Sequence, residues 1–407
     1  MSDEIWERYR GKKILIWGYG REGKSTENFF RRHPVAASVE ISEGKPDEIE
    51  YEKYDFVFKS PGIRLEYPVR EQFSEMRPEL TSQTELFIEA FRDRVIGITG
   101  TKGKSTTTAL LHHVMKTCYP KGACLVGNIG VPCLDLFDEM ASGQSVAVFE
   151  LSCHQLAYAK VSPHIGLFLN LYEDHLDFYG DRATYFQAKR HLTEYQTEED
   201  FLYVGRDVPE FTTKAQVIRV TDLYRDGSMG IPGEHNRYNA SFVRHVVTER
   251  FGLQGEDVNH AIDSFTGLPH RLQYIGTVDG VRYYDDSIST IPEATIQAVE
   301  SVPEVATVIL GGMDREIDYS PLIAFIPESR QVNYICAYAS GRRIYEAVGE
   351  EVPNICYVPE LTDAVREAKR ITPQGKACVL SPAAASYGYF KNFEERGDRF
   401  AELVRQQ

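Results

Sequence analysis

The chain has 407 residues, a formal net charge of −15, 42% hydrophobic residues and seven cysteines. That length suits two or three domains with full cores, the acidity argues against a nucleic-acid surface, and no apolar run approaches the ~18–20 residues of a membrane helix. The charged start, Met1-Ser-Asp-Glu-Ile-Trp-Glu-Arg8, is no secretory signal, and cysteines scattered singly without a Cys-x-x-Cys pair fit reduced core thiols in a cytoplasmic protein.

In chain order, Gly11-Lys-Lys-Ile-Leu-Ile-Trp17 predicts a strand, followed by Gly18-Tyr19-Gly20-Arg-Glu-Gly23 and a helix to Arg32. Glycines between strand and helix are what a Rossmann-like unit uses to hold a pyrophosphate: they allow a tight turn and bring the helix N-terminus to the anion. Taken alone, the fingerprint also admits a nicotinamide-binding protein or dehydrogenase. The next strand carries Glu40 where a ribose-binding acid sits. Asp55-Phe-Val-Phe then enters Lys59-Ser60-Pro61-Gly62-Ile63, a turn at a strand's carboxyl end, where ligands of open parallel sheets gather.

A second unit starts with Val95-Ile-Gly-Ile-Thr-Gly100-Thr101-Lys102-Gly103-Lys104-Ser105-Thr106. A β-branched strand runs into a glycine loop, and Lys104-Ser105 opens a helix. Backbone N–H groups can then face a phosphate, the lysine can reach the outer phosphates, and the hydroxyl can ligate Mg²⁺. The common spacing needs glycine where Ile98 stands, so this loop is a compressed form. Further strands at 146–150, 165–170 and 201–204, with helical segments between them, predict a parallel α/β sheet. Glu150 ends one strand, where an acid either helps hold Mg²⁺ or caps a helix. Asn170, Asp174, His175 and Asp177 crowd just past another. Lys189 by itself reads as a solvated helix lysine. The cluster His235-Asn236-Arg237-Tyr238-Asn239 either contacts a base or ribose or caps a helix.

A third unit begins near Leu268-Pro-His-Arg271 and repeats the grammar, with strands predicted near 281, 306, 334 and 377. Asp286-Ser287, Gly311-Gly312-Met-Asp314-Arg315 and Ser381-Pro-Ala-Ala-Ala-Ser386-Tyr387 follow three of them. The unit boundaries fall at about 90 and 267.

Six motifs occur in order: Gly-Thr-Lys-Gly-Lys-Ser105, Glu150-Leu-Ser, Glu-Asp-His175-Leu-Asp, Gly-Glu-His-Asn-Arg-Tyr-Asn239, Gly-Leu-Pro-His-Arg271 and Leu-Ser-Pro-Ala-Ala-Ala-Ser386. Together they cover nearly the whole chain, which resembles the Mur ligases of peptidoglycan synthesis. The resemblance implies an α/β protein of three domains. These are an N-terminal Rossmann-like one for a UDP-sugar (1–90), a central P-loop ATPase-type parallel sheet (91–267) and a C-terminal Rossmann-like one for glutamate (268–407). It implies that ATP is held by Gly100, Thr101, Lys102, Gly103, Lys104, Ser105 and Thr106 together with Asn239, Arg271 and Asp286. Ser105, Glu150, His175 and a carbamylated Lys189 are the implied holders of Mg²⁺, two ions in all, and Lys104, His175 and Lys189 the implied catalytic set. Gly18, Tyr19, Gly20, Ser60, Gly62, Asn128 and His175 match UDP-sugar contacts; Thr290, Arg315, Ser386, Tyr387 and Phe393 match contacts to glutamate.

The closing segment, 390–400, is like that of the family members that join glutamate to UDP-N-acetylmuramoyl-L-alanine through an acyl phosphate. The protein so implied is a cytoplasmic monomer that uses ATP, with D-glutamate the first choice of acceptor, and engages neither nucleic acid nor membrane. One departure bears on the acceptor. Typical members carry Asp-Ser-Lys-Ala-Thr-Asn, and this chain reads Asp286-Ser287-Ile288-Ser289-Thr290-Ile291. Losing that cation leaves L-glutamate or another amino acid as the alternative. His154 likewise stands where an aromatic residue is more usual.

Overall fold

Runs such as Lys13-Ile-Leu-Ile-Trp17 and Val95-Ile-Gly-Ile-Thr99 are short and apolar on both faces, the pattern of strands covered by helices on both sides. In the computed structural model both are strands, buried along almost their whole length. The structure describes residues 2–65, 78–172, 176–231, 233–315, 317–349 and 352–406. They divide into two units, Met1–Phe265 and Thr266–Gln407. No described helix is long and apolar enough to cross a membrane. All seven cysteines are unpaired thiols, five of them buried.

The first unit holds two sheets. In one, β1 (Lys13–Trp17), β2 (Ser38–Ser42), β3 (Phe56–Lys59) and β4 (Glu79–Thr81) run parallel in the order β2-β1-β3-β4. β1 leads outward to β2 on one side and β3 leads outward to β4 on the other, so a crevice opens at the carboxyl ends of β1 and β3. The nicotinamide-binding order, with strand 3 beyond strand 2, is not that of this sheet. The other sheet has β5 (Val95–Thr99), β6 (Ala123–Gly127), β7 (Val146–Glu150), β8 (Ile165–Phe168), β9 (Phe201–Gly205) and β10 (Gln216–Val220). All run parallel, in the order β10-β9-β8-β5-β7-β6. One apolar cluster runs from Ile14 and Phe58 through Phe87 to Phe149 and Leu202. The helix Gln83–Phe91, where the first expected boundary falls, is part of it: Phe87 meets the Phe149 ring edge-on with centroids 5.8 Å apart.

In the second unit, β11 (Gln273–Val278) and β12 (Val281–Asp285) form an antiparallel hairpin. Its turn, Asp279-Gly280, has φ of +52° and +77°, the left-handed pair that suits a two-residue hairpin loop. Then come β13 (Val305–Leu310), β14 (Asn333–Ala337), β15 (Ile355–Val358) and β16 (Ala377–Leu380), in the order β11-β12-β16-β13-β14-β15. Every pairing except β11 with β12 is parallel. The loops after β12, β16 and β13 therefore leave adjacent carboxyl ends.

Strands β8 and β9 converge at Gly205, where an added Cβ would lie 1.8 Å from the Leu169 carbonyl oxygen. Gly205→Ala is expected to cost the first unit about 1–3 kcal/mol, read as a lower urea midpoint. At Gly62 an added Cβ meets open space, so Gly62→Ala is the control expected to leave that midpoint unchanged.

Candidate functional site

The turn after β5 is built on glycine. Gly103 has φ +81° and is the N-cap of the helix Lys104–Cys118, with no side-chain cap on that helix. An added Cβ at Gly103 would sit 2.8 Å from Asn239 Oδ1, so the helix Glu234–Phe251 brings Asn239 against the loop. Ile98, the misfit in the loop's spacing, is fully buried and still inside β5; the turn begins two residues later.

The loop is tied from three directions. Asn170, just past β8, accepts from the Thr101 and Lys102 amides at 3.1 and 2.9 Å and donates to the Lys102 carbonyl at 2.9 Å. Lys104 Nζ donates to the Gly100 and Thr101 carbonyls at 3.0 and 2.9 Å. Lys189 Nζ donates to the same Gly100 oxygen at 2.8 Å and lies 4.7 Å from the Tyr185 ring centroid. Lys189 is 1% exposed. The reading of it as a solvated helix lysine is thus overturned: the helix Arg182–Arg190 turns that face inward onto the loop. Ser105 and Thr106 lie half-buried in the first helical turn, and Lys102 is exposed.

Glu150, at the end of β7, is fully buried. Its Oε1 accepts from Asn128 Nδ2 at 2.7 Å, while Oε2 has no partner among the described residues. It caps no helix; Ser152 does that for Cys153–Leu156. A buried carboxylate oxygen without a donor is costly, and a hard cation with oxygen ligands relieves that cost. Glu150 and the Ser105 hydroxyl are therefore a fitting start for Mg²⁺. His175 and Asp174 lie outside the described residues, as does the side chain of Asp177, and among the described residues no three acidic, histidine or cysteine side chains form a metal cluster.

At the first sheet's edge, Gly18 has φ +89°, and an added Cβ there would meet Ser60 at 2.8 Å. Ser60 Oγ donates to the Gly18 carbonyl at 3.0 Å. Gly23 has its own reason: a Cβ there would lie 2.1 Å from the Gly18 oxygen. Gly20 and Gly62 face open space. Gly20 is the N-cap of the helix Arg21–Arg32 and offers no side chain to its amides. Tyr19 donates to Glu27. Glu40, expected at a ribose, is exposed and accepts the Tyr54 hydroxyl at 2.8 Å. Sequence reasoning passed over Lys59. Its Nζ is buried and donates to the carbonyls of Ser60 at 2.9 Å and Ile63 at 2.8 Å, with Pro61 at 3.5 Å, and faces the Tyr158 ring. Burial lowers its pKa to about 8, against the opposing attraction of Glu22.

In the second unit, Asp286 is buried just past β12 and accepts from Ser381 Oγ at 2.7 Å, Ser289 Oγ at 2.5 Å and the Leu272 amide at 3.1 Å. Burial raises its pKa to about 6. Arg271 and Thr290 are exposed and Ile288 is half-buried. Arg315 is exposed in the loop after β13, which bridges to the loop after β16 through Met313 and Ala385. Ser386 is buried and Tyr387 exposed in that latter loop, and Phe393 opens the last helix, Phe393–Arg405. His154, in the first unit, packs edge-on against Phe178 and shares a hydrogen bond with the Tyr179 hydroxyl at 3.2 Å.

Residues 98–224 match the Mur ligase middle domain. The UDP-N-acetylmuramoylalanine–D-glutamate ligase of Aquifex aeolicus is 31% identical over 414 residues, covering 96% of this chain and 98% of its own. The ligase of that name from Latilactobacillus sakei is 30% identical over 452 residues, with 98% of each chain covered. Among solved structures, the UDP-N-acetylmuramate–alanine ligase of Thermotoga maritima has a TM-score of 0.54 at 18% identity, over 96% of this chain and 98% of its own. The MurF ligase of that organism, in complex with ADP, has a TM-score of 0.56 at 15% identity, over 98% and 95%. At such identities the structural likeness concerns the fold.

The position of Lys59 generates a pH dependence. Its pKa falls from 10.5 to about 8 on folding, so between those values the folded chain binds fewer protons than the unfolded one, and stability gains from rising pH. The wild type is expected to gain up to about 3 kcal/mol relative to Lys59→Met across that window, measured by urea unfolding. A difference that stays flat with pH would sink the assignment.

Proposed function

The chain belongs to the Mur ligase family, and from that premise we propose that it is an ATP-dependent ligase. It joins D-glutamate to UDP-N-acetylmuramoyl-L-alanine by an amide bond, in peptidoglycan precursor synthesis. The observation that carries the reading is the loop at 100–103, held by Lys104 and Lys189, beside an uncapped helix start and the half-satisfied carboxylate of Glu150.

In the proposed reaction an oxygen of the alanyl carboxylate attacks the γ-phosphorus of ATP and ADP leaves. The glutamate amine then attacks the acyl phosphate carbon, phosphate departs, and the amine gives up its proton. Two anions must meet in the first step. Lys104, with the amides of Ser105 and Thr106 at the positive end of the helix, offsets their repulsion and stabilises charge on the transferred group. Bound Mg²⁺, proposed as two ions, would add to that neutralisation, with Ser105, Glu150, His175 and Lys189 its proposed holders. Lys189 suits a carbamate: the modified nitrogen keeps an N–H that still donates to Gly100, while the new oxygens supply the negative charge that a cation needs. Gly100, Thr101, Lys102, Gly103 and Asn239, with Arg271 and Asp286, are assigned to ATP.

Gly18, Tyr19, Gly20, Ser60 and Gly62, with Asn128 and His175, are assigned to the UDP-sugar. The open space at Gly20 and Gly62 supports backbone approach to a pyrophosphate. Thr290, Arg315, Ser386, Tyr387 and Phe393 are assigned to glutamate; a fork-shaped guanidinium and hydroxyls match a carboxylate. The three-domain division at about 90 and 267, a monomeric state and a cytoplasmic location complete the proposal.

Phosphate release with ATP, Mg²⁺ and UDP-N-acetylmuramoyl-L-alanine tests it, with D-glutamate, L-glutamate and other amino acids offered separately. Turnover is expected with D-glutamate; turnover with L-glutamate alone would move the fault to Ile288 and the acceptor pocket, and turnover with none would overturn the ligase reading. Lys104→Ala is expected to lower kcat by roughly 10²–10³-fold or more, and near-normal turnover would remove Lys104 from the ATP site. Lys189→Ala should regain part of its activity in formate or acetate, whose carboxylate can stand in for the carbamate. Absence of rescue would leave Lys189 as a tie on the loop alone.

A further inference from the structure

The closing motif Asn392-Phe-Glu-Glu-Arg396-Gly397 has one residue, Phe393, with a role above. The helix Phe393–Arg405 starts under an Asn392 cap, whose Oδ1 accepts the Glu395 amide at 2.9 Å. Its first turn drives Arg396 into the sheet edge, where the side chain is 1% exposed. Arg396 Nε donates to Ser287 Oγ at 2.9 Å, and Nη2 donates to the carbonyls of Ser287 at 2.7 Å and Ala384 at 3.0 Å. Ser287 Oγ in turn donates to the Phe393 carbonyl at 2.8 Å. Nη1 has no partner among the described residues, and a Cβ added at Gly312 would lie 2.8 Å from it.

A single guanidinium therefore meets the loops after β12, β16 and β13. These are the loops that carry Thr290, then Ser386 and Tyr387, then Arg315. Gly397 explains how the helix comes so near: a Cβ there would fall 2.1 Å from His270 Nδ1 and 2.3 Å from Asp285 Oδ2, which are themselves hydrogen-bonded at 2.7 Å. Stability alone is a weak reason for burying a charge here, because a hydrocarbon of similar volume is often as stable. What the hydrocarbon lacks is the planar fork of donors: Nε and Nη2 take the Ser287 hydroxyl and carbonyl side by side, and the other hydrogen of Nη2 takes the Ala384 carbonyl on a separate loop.

We propose that Arg396 is the positioning residue of the glutamate pocket: by bonding Ser287 and Ala384 together it sets the spacing of the loops after β12 and β16, and the Met313–Ala385 bridge carries that spacing to the loop after β13. The proposal rests on the assignment of that pocket to glutamate. Arg396→Lys keeps the charge and loses the fork, and Arg396→Met loses both.

The test measures KM for glutamate, ATP and UDP-N-acetylmuramoyl-L-alanine, with circular dichroism and thermal unfolding on each variant. Both variants should raise the glutamate KM by roughly tenfold or more, well beyond any rise in the other two, since misplacement by about an ångström carries effects of that order. Equal changes in all three constants, or full recovery by lysine, would overturn the proposal, because either outcome assigns Arg396 to the fold or to charge. Should neither variant fold, Ser287→Ala removes one of the fork's partners without touching a charge. It is expected to raise the glutamate KM selectively, and an unchanged glutamate KM overturns the proposal. A wild type with no glutamate-dependent turnover overturns the pocket assignment and this proposal with it, whereas normal wild-type turnover with unshifted variants overturns this proposal alone.

Discussion

The carbonyl oxygen of Gly100 is the point on which the first unit's site depends. Lys104 and Lys189 both donate to it. A peptide's carbonyl and amide point in opposite directions, so fixing carbonyls on one side of a turn also fixes where its amides aim. Asn170 secures the other side through the Thr101 and Lys102 amides. The amides left for an anion are those that open the helix Lys104–Cys118, which has no side-chain cap. A loop held this way would need little rearrangement to take the proposed polyphosphate, and preorganisation of that kind favours binding.

Topology decides which side chains surround that turn. Strand β5 lies between β7 and β8, so the ends of those strands deliver Glu150 to one flank and Asn170 to the other. The same device recurs in the other sheets. Strand β1 between β2 and β3 sets Gly18 beside Ser60, and β16 between β12 and β13 sets Ser381 beside Asp286. Three times the chain places its chemistry where neighbouring strands depart in opposite directions, the place open α/β sheets leave a crevice.

How legible this was depended on distance along the chain. Local signals were plain: the apolar runs of β1, β5, β7, β8 and β9, and the glycines that their turns require. Strands β4, β6, β10, β11 and β15 escaped notice because edge strands and short strands are half-exposed and lose the apolar signature; β10, for one, is exposed over most of its length. The Asp279-Gly280 turn was a readable hairpin signal that went unread. Ile98 stands where the common spacing has glycine because β5 runs on through it and the compressed turn starts later. Lys189 and Arg396 were not legible at all as buried groups. Each is an ordinary helix residue by pattern, and its partner lies 89 or 109 positions away.

Those long-range partners also resolve a conflict posed by composition. A chain of net charge −15 must hold nucleotide phosphates and a dicarboxylate against its own field. Lys59 and Arg396 are buried at the carboxyl edges of their sheets, and their hydrogen bonds go to loop carbonyls and a hydroxyl. A carboxylate partner would cancel the cation it bonds; a carbonyl leaves the positive charge intact while the cation fixes the loop. Local potential and loop geometry thus come from the same side chain. Lys189 obeys this rule as an ammonium; the proposed carbamate would invert it, keeping an N–H for the Gly100 carbonyl while its charge turned negative. A second anion beside the loop would have a use where a second cation is held, so the proposed modification belongs with the proposed metal and phosphate chemistry and not with the fold.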